Sequence, residues 1–242
     1  MKGCLVVHGL TGTPETVEVM SQSLMDNGFH VIAPRLAGHG GTMEELAAST
    51  WRDWYETVRI AYAELRRQVE KVYYTGISLG ALLGLKLALD EGWGIRALAL
   101  MATPLQLSFH NRLLIPLVRN TPLRFVVTSV PKNAAESVAD PEGRRRYMEM
   151  TLQRIPAKAT FELADLQRRV REQLPKISNP LLLIHAKNDH VSPYSNVELI
   201  KKSVSSEIVE TATFSRSRHV ITMDLEKELA AHAAVQFFKR FD

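Results

Sequence analysis

Short apolar runs recur through the first hundred residues, each followed by glycines and then by apolar positions three or four apart. Cys4-Leu5-Val6-Val7 has the continuous apolar character of a strand buried on both faces. It ends in His8-Gly9-Leu10-Thr11-Gly12, a loop with two glycines. A helix should follow: Thr13 suits its cap, Pro14 its first position, and Val17, Met20 and Leu24 line one face until Asn27-Gly28 stops it. Phe29 to Ala33 reads as a second strand, ended by Pro34, and Gly38-His39-Gly40-Gly41 as a mobile loop. Thr50 and Asp53 form a capping box, and the stripe Trp51, Trp54, Tyr55, Val58, Tyr62 and Leu65 predicts a core-facing helix. Val72 to Tyr74 is a third strand. It runs directly into a helix marked by Leu79, Leu82, Leu83 and Leu87, and Ala97 to Met101 is a fourth. A repeated strand-loop-helix order implies right-handed crossovers and a parallel sheet.

The rhythm breaks after Pro104. Six of the eleven prolines fall between Pro104 and Pro156, which rules out long uninterrupted helices, and no strand pattern is visible there. The dense but patchy apolar residues predict a cap of short helices over one edge of the sheet. The alternating order then resumes with a helix from about Thr160 to Leu174 and a buried strand, Leu181-Leu182-Leu183-Ile184-His185. A helix begins at Ser192-Pro193, and Glu207 to Thr213 is the last strand. A closing helix carries Leu225, Leu229, Ala233, Phe237 and Phe241. The expectation is one α/β domain over residues 1–242, about six strands with helices on both faces, and a cap insertion over approximately 104–158.

Composition narrows the function classes. At 242 residues, 45% hydrophobic and 23% charged, the chain can bury a core without staples. Cys4 is the only cysteine, so an intramolecular disulfide and a cysteine-based metal site are excluded, and a reducing compartment fits. No apolar run reaches the length of a signal-peptide core or a membrane span, so the cytoplasm is the expected location, without stable membrane insertion. The net charge of +4 is modest, and neither Arg144-Arg145-Arg146 nor Arg168-Arg169 is interleaved with aromatics. These read as solvated helix faces, and no nucleic-acid partner is expected.

The candidate chemistry sits at Gly76-Ile77-Ser78-Leu79-Gly80. In a strand-turn-helix context G-x-S-x-G is a nucleophile elbow, in which glycines let strand and helix approach and a helix N-terminus lies behind the serine. A serine hydroxyl needs a base, and the base an orienting carboxylate, both on loops that follow strands at the same sheet edge. Asp189 and His219 each follow one of the last two strands and complete the order Ser…Asp…His. His190 is the next candidate base, but it adjoins Asp189 and would leave no acid on the following strand. His185 reads as a packed strand-end histidine and His8 as a structural one bonding within its loop. The oxyanion donors should be the backbone N–H of Leu79 and one from the first loop, most simply Leu10. No metal or organic cofactor is required.

His8-Gly9-Leu10-Thr11-Gly12-Thr13, Arg35-Leu36-Ala37-Gly38-His39-Gly40, Asp53-Trp54, the elbow, Asn188-Asp189-His190-Val191 and Ser217-Arg218-His219-Val220 together resemble the α/β-hydrolase fold. More narrowly, they resemble small bacterial carboxylesterases and monoacylglycerol lipases. The family usually has strand sequence before the His-Gly loop, whereas here that loop begins at residue 8. The sheet should therefore lack the leading antiparallel strands. The resemblance implies a serine carboxylic ester hydrolase acting on short- to medium-chain acyl esters through an acyl-serine, as a monomer or homodimer. It also implies an apolar acyl tunnel under the cap, for which Leu107, Leu113, Ile115 and Leu117 are candidate linings. Thioester cleavage, carbon–carbon bond hydrolysis and a slow-turnover receptor use the same elbow. A haloalkane dehalogenase would need a carboxylate where Ser78 stands.

Overall fold

Alternating side chains divide the strands between two cores. On β1 (Lys2–Val7) Leu5 and Val7 face one way, Cys4 and Val6 the other, and all four are buried. The same alternation continues on β3 (Lys71–Ile77), β4 (Leu98–Met101) and β7 (Leu181–Ala186). Both faces are therefore covered, as the unbroken apolar runs require. In the computed structural model, which describes residues 1–242, these strands join β2 (His30–Ile32) and β8 (Val209–Phe214) in one sheet. Its order is β2-β1-β3-β4-β7-β8, and every pairing is parallel. Six parallel strands match the expectation.

Helices α1 (Glu18–Asp26) and α10 (Lys227–Lys239) cover the face that carries Val6, Tyr73 and Ile184. The opposite face is covered by α3 (Trp51–Gln68), α4 (Leu79–Glu91), α8 (Ala157–Arg171) and α9 (Ser195–Ser203). The capping box at the start of α3 is complete. Thr50 Oγ1 accepts from the Asp53 N–H at 3.4 Å, and Asp53 accepts from the Thr50 N–H at 2.8 Å. Thr13 makes no such cap: Pro14–Val17 is a 3-10 turn and α1 begins only at Glu18. On the closing helix Leu229 is exposed, and Leu225 lies before the helix and is also exposed, so Ala230, Ala234 and Phe238 supply its packing instead.

Three elements depart from the sequence reading. A helix α2 (Met43–Ala48) lies between the glycine loop and α3, closed by its own capping box of Thr42 and Glu45. With one buried residue, Leu46, it is too short to show a period. The stretch read as lacking strands holds a small antiparallel pair, β5 (Ser129–Pro131) and β6 (Arg154–Pro156). Each strand has three residues and contains a proline, which suppresses the strand signal and suits an edge. Around that pair lie α5 (Phe109–Asn120), α6 (Ala134–Ser137) and α7 (Pro141–Met150).

Removing the Thr50 hydroxyl should cost about 1 kcal/mol of stability. A lowered urea midpoint for Thr50→Ala with an unchanged slope is the expected result, and an unchanged midpoint contradicts the assigned cap.

Candidate active site

The site is assembled where the strands end. β3 passes into α4 through Ser78, which takes φ 55° and ψ −116°. That left-handed conformation is costly for a residue with a Cβ and persists only where its surroundings enforce it. Here the enforcement is close backbone packing. A Cβ on Gly80 would lie 2.2 Å from the Val7 carbonyl oxygen and 2.8 Å from that of His8. A Cβ on Gly76 would lie 2.6 Å from the Gly80 carbonyl. The two glycines thus let the turn press against the end of β1, and the Ser78 N–H donates to the Met101 carbonyl on β4 at 2.9 Å.

The loops after β7 and β8 bring the partners. His219 Nε2 lies 3.0 Å from Ser78 Oγ, and His219 Nδ1 lies 2.8 Å from Asp189 Oδ2. With Nδ1 carrying the proton, it donates to the carboxylate and leaves Nε2 to accept from the serine hydroxyl, a tautomer assigned from the bonding pattern. Asp189 is buried and accepts on Oδ1 from the N–H groups of Val191 at 2.9 Å and Ser192 at 2.8 Å. Burial pushes its carboxyl up, but the electrostatic interaction with the His219 ring and hydrogen bonds from His185 and His219 outweigh burial. The group is held well below the usual carboxylate range. His185 donates from Nε2 to the Ser192 carbonyl at 2.8 Å and stands 3.4 Å from Asp189, so it braces the acid's loop. His190, the competing base, has no place in this chain of bonds.

The loop after β1 lies across from the serine. His8 is fully buried, and burial drives it down to about 3, so it is neutral. Its Nδ1 donates to the Gly9 carbonyl at 2.9 Å and its Nε2 accepts the Leu36 N–H at 3.2 Å, fastening the loop to the chain beyond β2. The N–H groups of Leu10 and Leu79 make no hydrogen bond within the protein. Leu10 and Ser78 both line the main cavity, and Leu79 opens α4, whose N-terminal dipole favours negative charge there.

That cavity holds about 350 Å³ and also reaches His219. Its lining includes the apolar Leu107, Ile115, Val118 and Phe161 and the polar Thr11, Lys132, Glu136 and Tyr147, together with the apolar Val127, Val130 and Ile155. Leu113 and Leu117 are not part of the lining: they point outward from α5, 58% and 50% exposed. The inward stripe of α5 is Asn111, Leu114, Ile115 and Val118, spaced as one helix face. Apolar residues lie all round this helix, and the stripe begins with an asparagine, so periodicity alone did not identify the inner side.

Two carboxylates that the sequence reading passed over hold the His219 loop. Asp224 accepts from the Arg218 N–H at 2.8 Å, and Glu226 from those of Arg216 at 3.0 Å and Ser217 at 2.8 Å. Their signal was an acidic residue a few positions beyond a glycine-free loop, which a helix pattern also explains.

The Hydrolase_4 family model, described as serine aminopeptidase, S33, matches residues 2–226. The thermostable monoacylglycerol lipase of Bacillus sp. (strain H-257) is 24% identical over 245 residues, covering 98% of this chain and 90% of that protein. A carboxylesterase of Bacillus subtilis (strain 168) is 26% identical over 242 residues, covering 100% and 94%. Among solved structures, one from the study of LipS and LipT, two metagenome-derived lipolytic enzymes, superposes with a TM-score of 0.88 at 27% identity. It covers 98% of this chain and 93% of its own.

Gly80→Ala should destabilise the protein by at least about 2 kcal/mol, since backbone rather than a movable side chain meets the new methyl group. Chemical denaturation measures this directly, and a neutral substitution contradicts the packing. The folded-state pKa of Asp189 lies below its unfolded value of about 3.9, so its stabilisation is complete above that value and is lost as pH falls through the folded one. Asp189→Asn should therefore be less stable than the parent at pH 7 and pH 5, with the gap closing only below about pH 4. A gap that widens on acidification reverses the sign.

Proposed function

The chain belongs to the Hydrolase_4 family, serine aminopeptidase, S33, and from that membership and the geometry of the site we propose that it is a serine carboxylic ester hydrolase acting on short- to medium-chain acyl esters. The observation that carries the reading is the bond chain Asp189–His219–Ser78, which opens into a cavity lined in part by apolar residues.

In this mechanism Ser78 Oγ attacks the ester carbonyl while His219 Nε2 takes its proton. The imidazolium that forms faces a carboxylate already ionised. The carbonyl oxygen becomes an oxyanion received by the N–H groups of Leu10 and Leu79, which have no partner to give up. Collapse breaks the bond to the alcohol oxygen, and His219 returns the proton to it. Water, deprotonated by the same histidine, then cleaves the acyl-serine. The acyl chain lies along Leu107, Ile115, Val118 and Phe161. Burial of that chain is the source of chain-length preference, at about 0.8 kcal/mol for each methylene.

Monoacylglycerol lipase and carboxylesterase relatives support an ester over the amide that the family description names. No helix is long and apolar enough to cross a membrane. Cys4 is unpaired, as in a reducing compartment, and the reading keeps a cytoplasmic monomer or homodimer.

Hydrolysis of p-nitrophenyl esters from acetyl to palmitoyl tests the proposal. Turnover should peak at short to medium chains, and Ser78→Ala should lose at least about a thousandfold in kcat. Retention of most activity by that variant would overturn the assignment of the nucleophile.

A further inference from the structure

Lys132 is the only lysine or arginine in the lining of the main cavity, and no carboxylate pairs with it there. Its backbone is fixed beside β6 by a hydrogen bond from its N–H to the Gln153 carbonyl at 3.1 Å. Nζ donates to Thr151 Oγ1 at 2.6 Å and lies 4.1 Å from the centre of the Tyr147 ring. No carboxylate forms an ion pair with it; Glu136, in the same lining, is exposed to solvent. Several other cations of this segment are held by acceptors of their own. Arg119 pairs with Asp165 at 2.8 Å, Arg145 with Glu142 and Glu149, and Arg144 donates to the carbonyls of Val138 and Ala139. Burial, with nothing opposing it, pulls Lys132 down to about 7. A half-buried ammonium that lacks a counter-charge at a cavity wall is a site awaiting an anion.

The segment that holds Lys132 is tied to the loop of the catalytic histidine. His219 must return its proton to the alcohol oxygen, so the alcohol departs past the imidazole. The Val220 N–H donates to the Ser137 carbonyl at 2.8 Å. The buried Asp224 carboxylate accepts from the N–H groups of Ala139 at 2.9 Å, Asp140 at 2.8 Å and Arg218 at 2.8 Å. Tyr147 also lines the cavity, with its hydroxyl toward Thr11, the neighbour of Leu10. The residues assigned to the acyl chain come from the turn before α5, from α5 and from α8, while Val127, Val130 and Ile155 also line the cavity.

We propose that Lys132 is the specificity-determining residue of a leaving-group subsite that selects acyl esters whose alcohol carries an anionic oxygen group, such as a carboxylate, phosphate or sulfonate. A neutral hydroxyl can accept one hydrogen bond from Nζ, but only an anion supplies the missing charge. The inference rests on the ester-hydrolase reading and adds to it the class of alcohol.

Two esters of the same length test it: octanoyl isethionate, with a sulfonate of fixed charge, and 2-hydroxyethyl octanoate, its neutral counterpart. p-Nitrophenyl octanoate serves as the reference. The parent enzyme should favour the sulfonate ester by about tenfold in kcat/KM, the scale of one charge-assisted hydrogen bond. Lys132→Met should bring the ratio to about one or below, and Lys132→Arg, which keeps the charge, should hold it well above one. The corresponding phosphate and carboxylate esters, run alongside, rank the anions. Turnover of the reference ester with no preference for the sulfonate, or a ratio unchanged in Lys132→Met, overturns the subsite and leaves the esterase reading standing. Absence of turnover on all three esters removes that reading and the inference with it.

Discussion

Ser78 is held at φ 55° by the approach of α4 to the end of β1, and the rest of the site takes its position from that contact. A residue with a Cβ in this conformation costs about 1–3 kcal/mol, which local propensity cannot offset. The offset comes from packing: Val7 and His8 present their carbonyls to Gly80 at distances no side chain could share. The same contact lays the loop after β1 alongside the elbow, and this is why Leu10 and Ser78 come to lie at one cavity. Backbone strain at Ser78 and the approach of the loop after β1 are therefore one structural fact.

The order of the sheet was legible because its signals are strong and independent. Buried parallel strands read as unbroken apolar runs, and the meeting of Ser78, Asp189 and His219 at one sheet edge followed from chain order and strand ends. The glycines of the elbow were legible too, since their role is steric and local. What was not legible lies where the signal depends on tertiary placement. Leu113 and Leu117 are as apolar as Ile115, and only the docking of α5 decides which of them faces the cavity. The helix α2 and the strands β5 and β6 are held by capping and by their neighbours, in runs too short to show a period. Lys132 was invisible for a different reason. A lysine after a proline reads as an exposed turn residue, and nothing in the sequence says that its amine folds back over Tyr147.

Chemistry and selectivity occupy different kinds of structure in this chain. The groups aligned for acyl transfer stand on loops tied to strand ends. Asp189 is fixed by two backbone N–H bonds and a histidine, and His219 by a loop that two buried carboxylates hold. Most of the cavity lining comes from the irregular stretch between β4 and α8 and from α8 itself. The two halves are joined at few points. Asn196 accepts the Gln106 N–H at 2.8 Å and donates to the Gln106 carbonyl at 2.9 Å, which ties the chain after β4 to the start of α9. Asp224 bridges the α6–α7 junction and the His219 loop. Substitutions elsewhere in the walls should thus change what enters the cavity, whereas changes at these two bridges reach the imidazole itself. The separation makes physical sense: hydrogen-bond distances near 3 Å in the reacting groups tolerate little movement, and an apolar wall that recognises a chain by area tolerates much more.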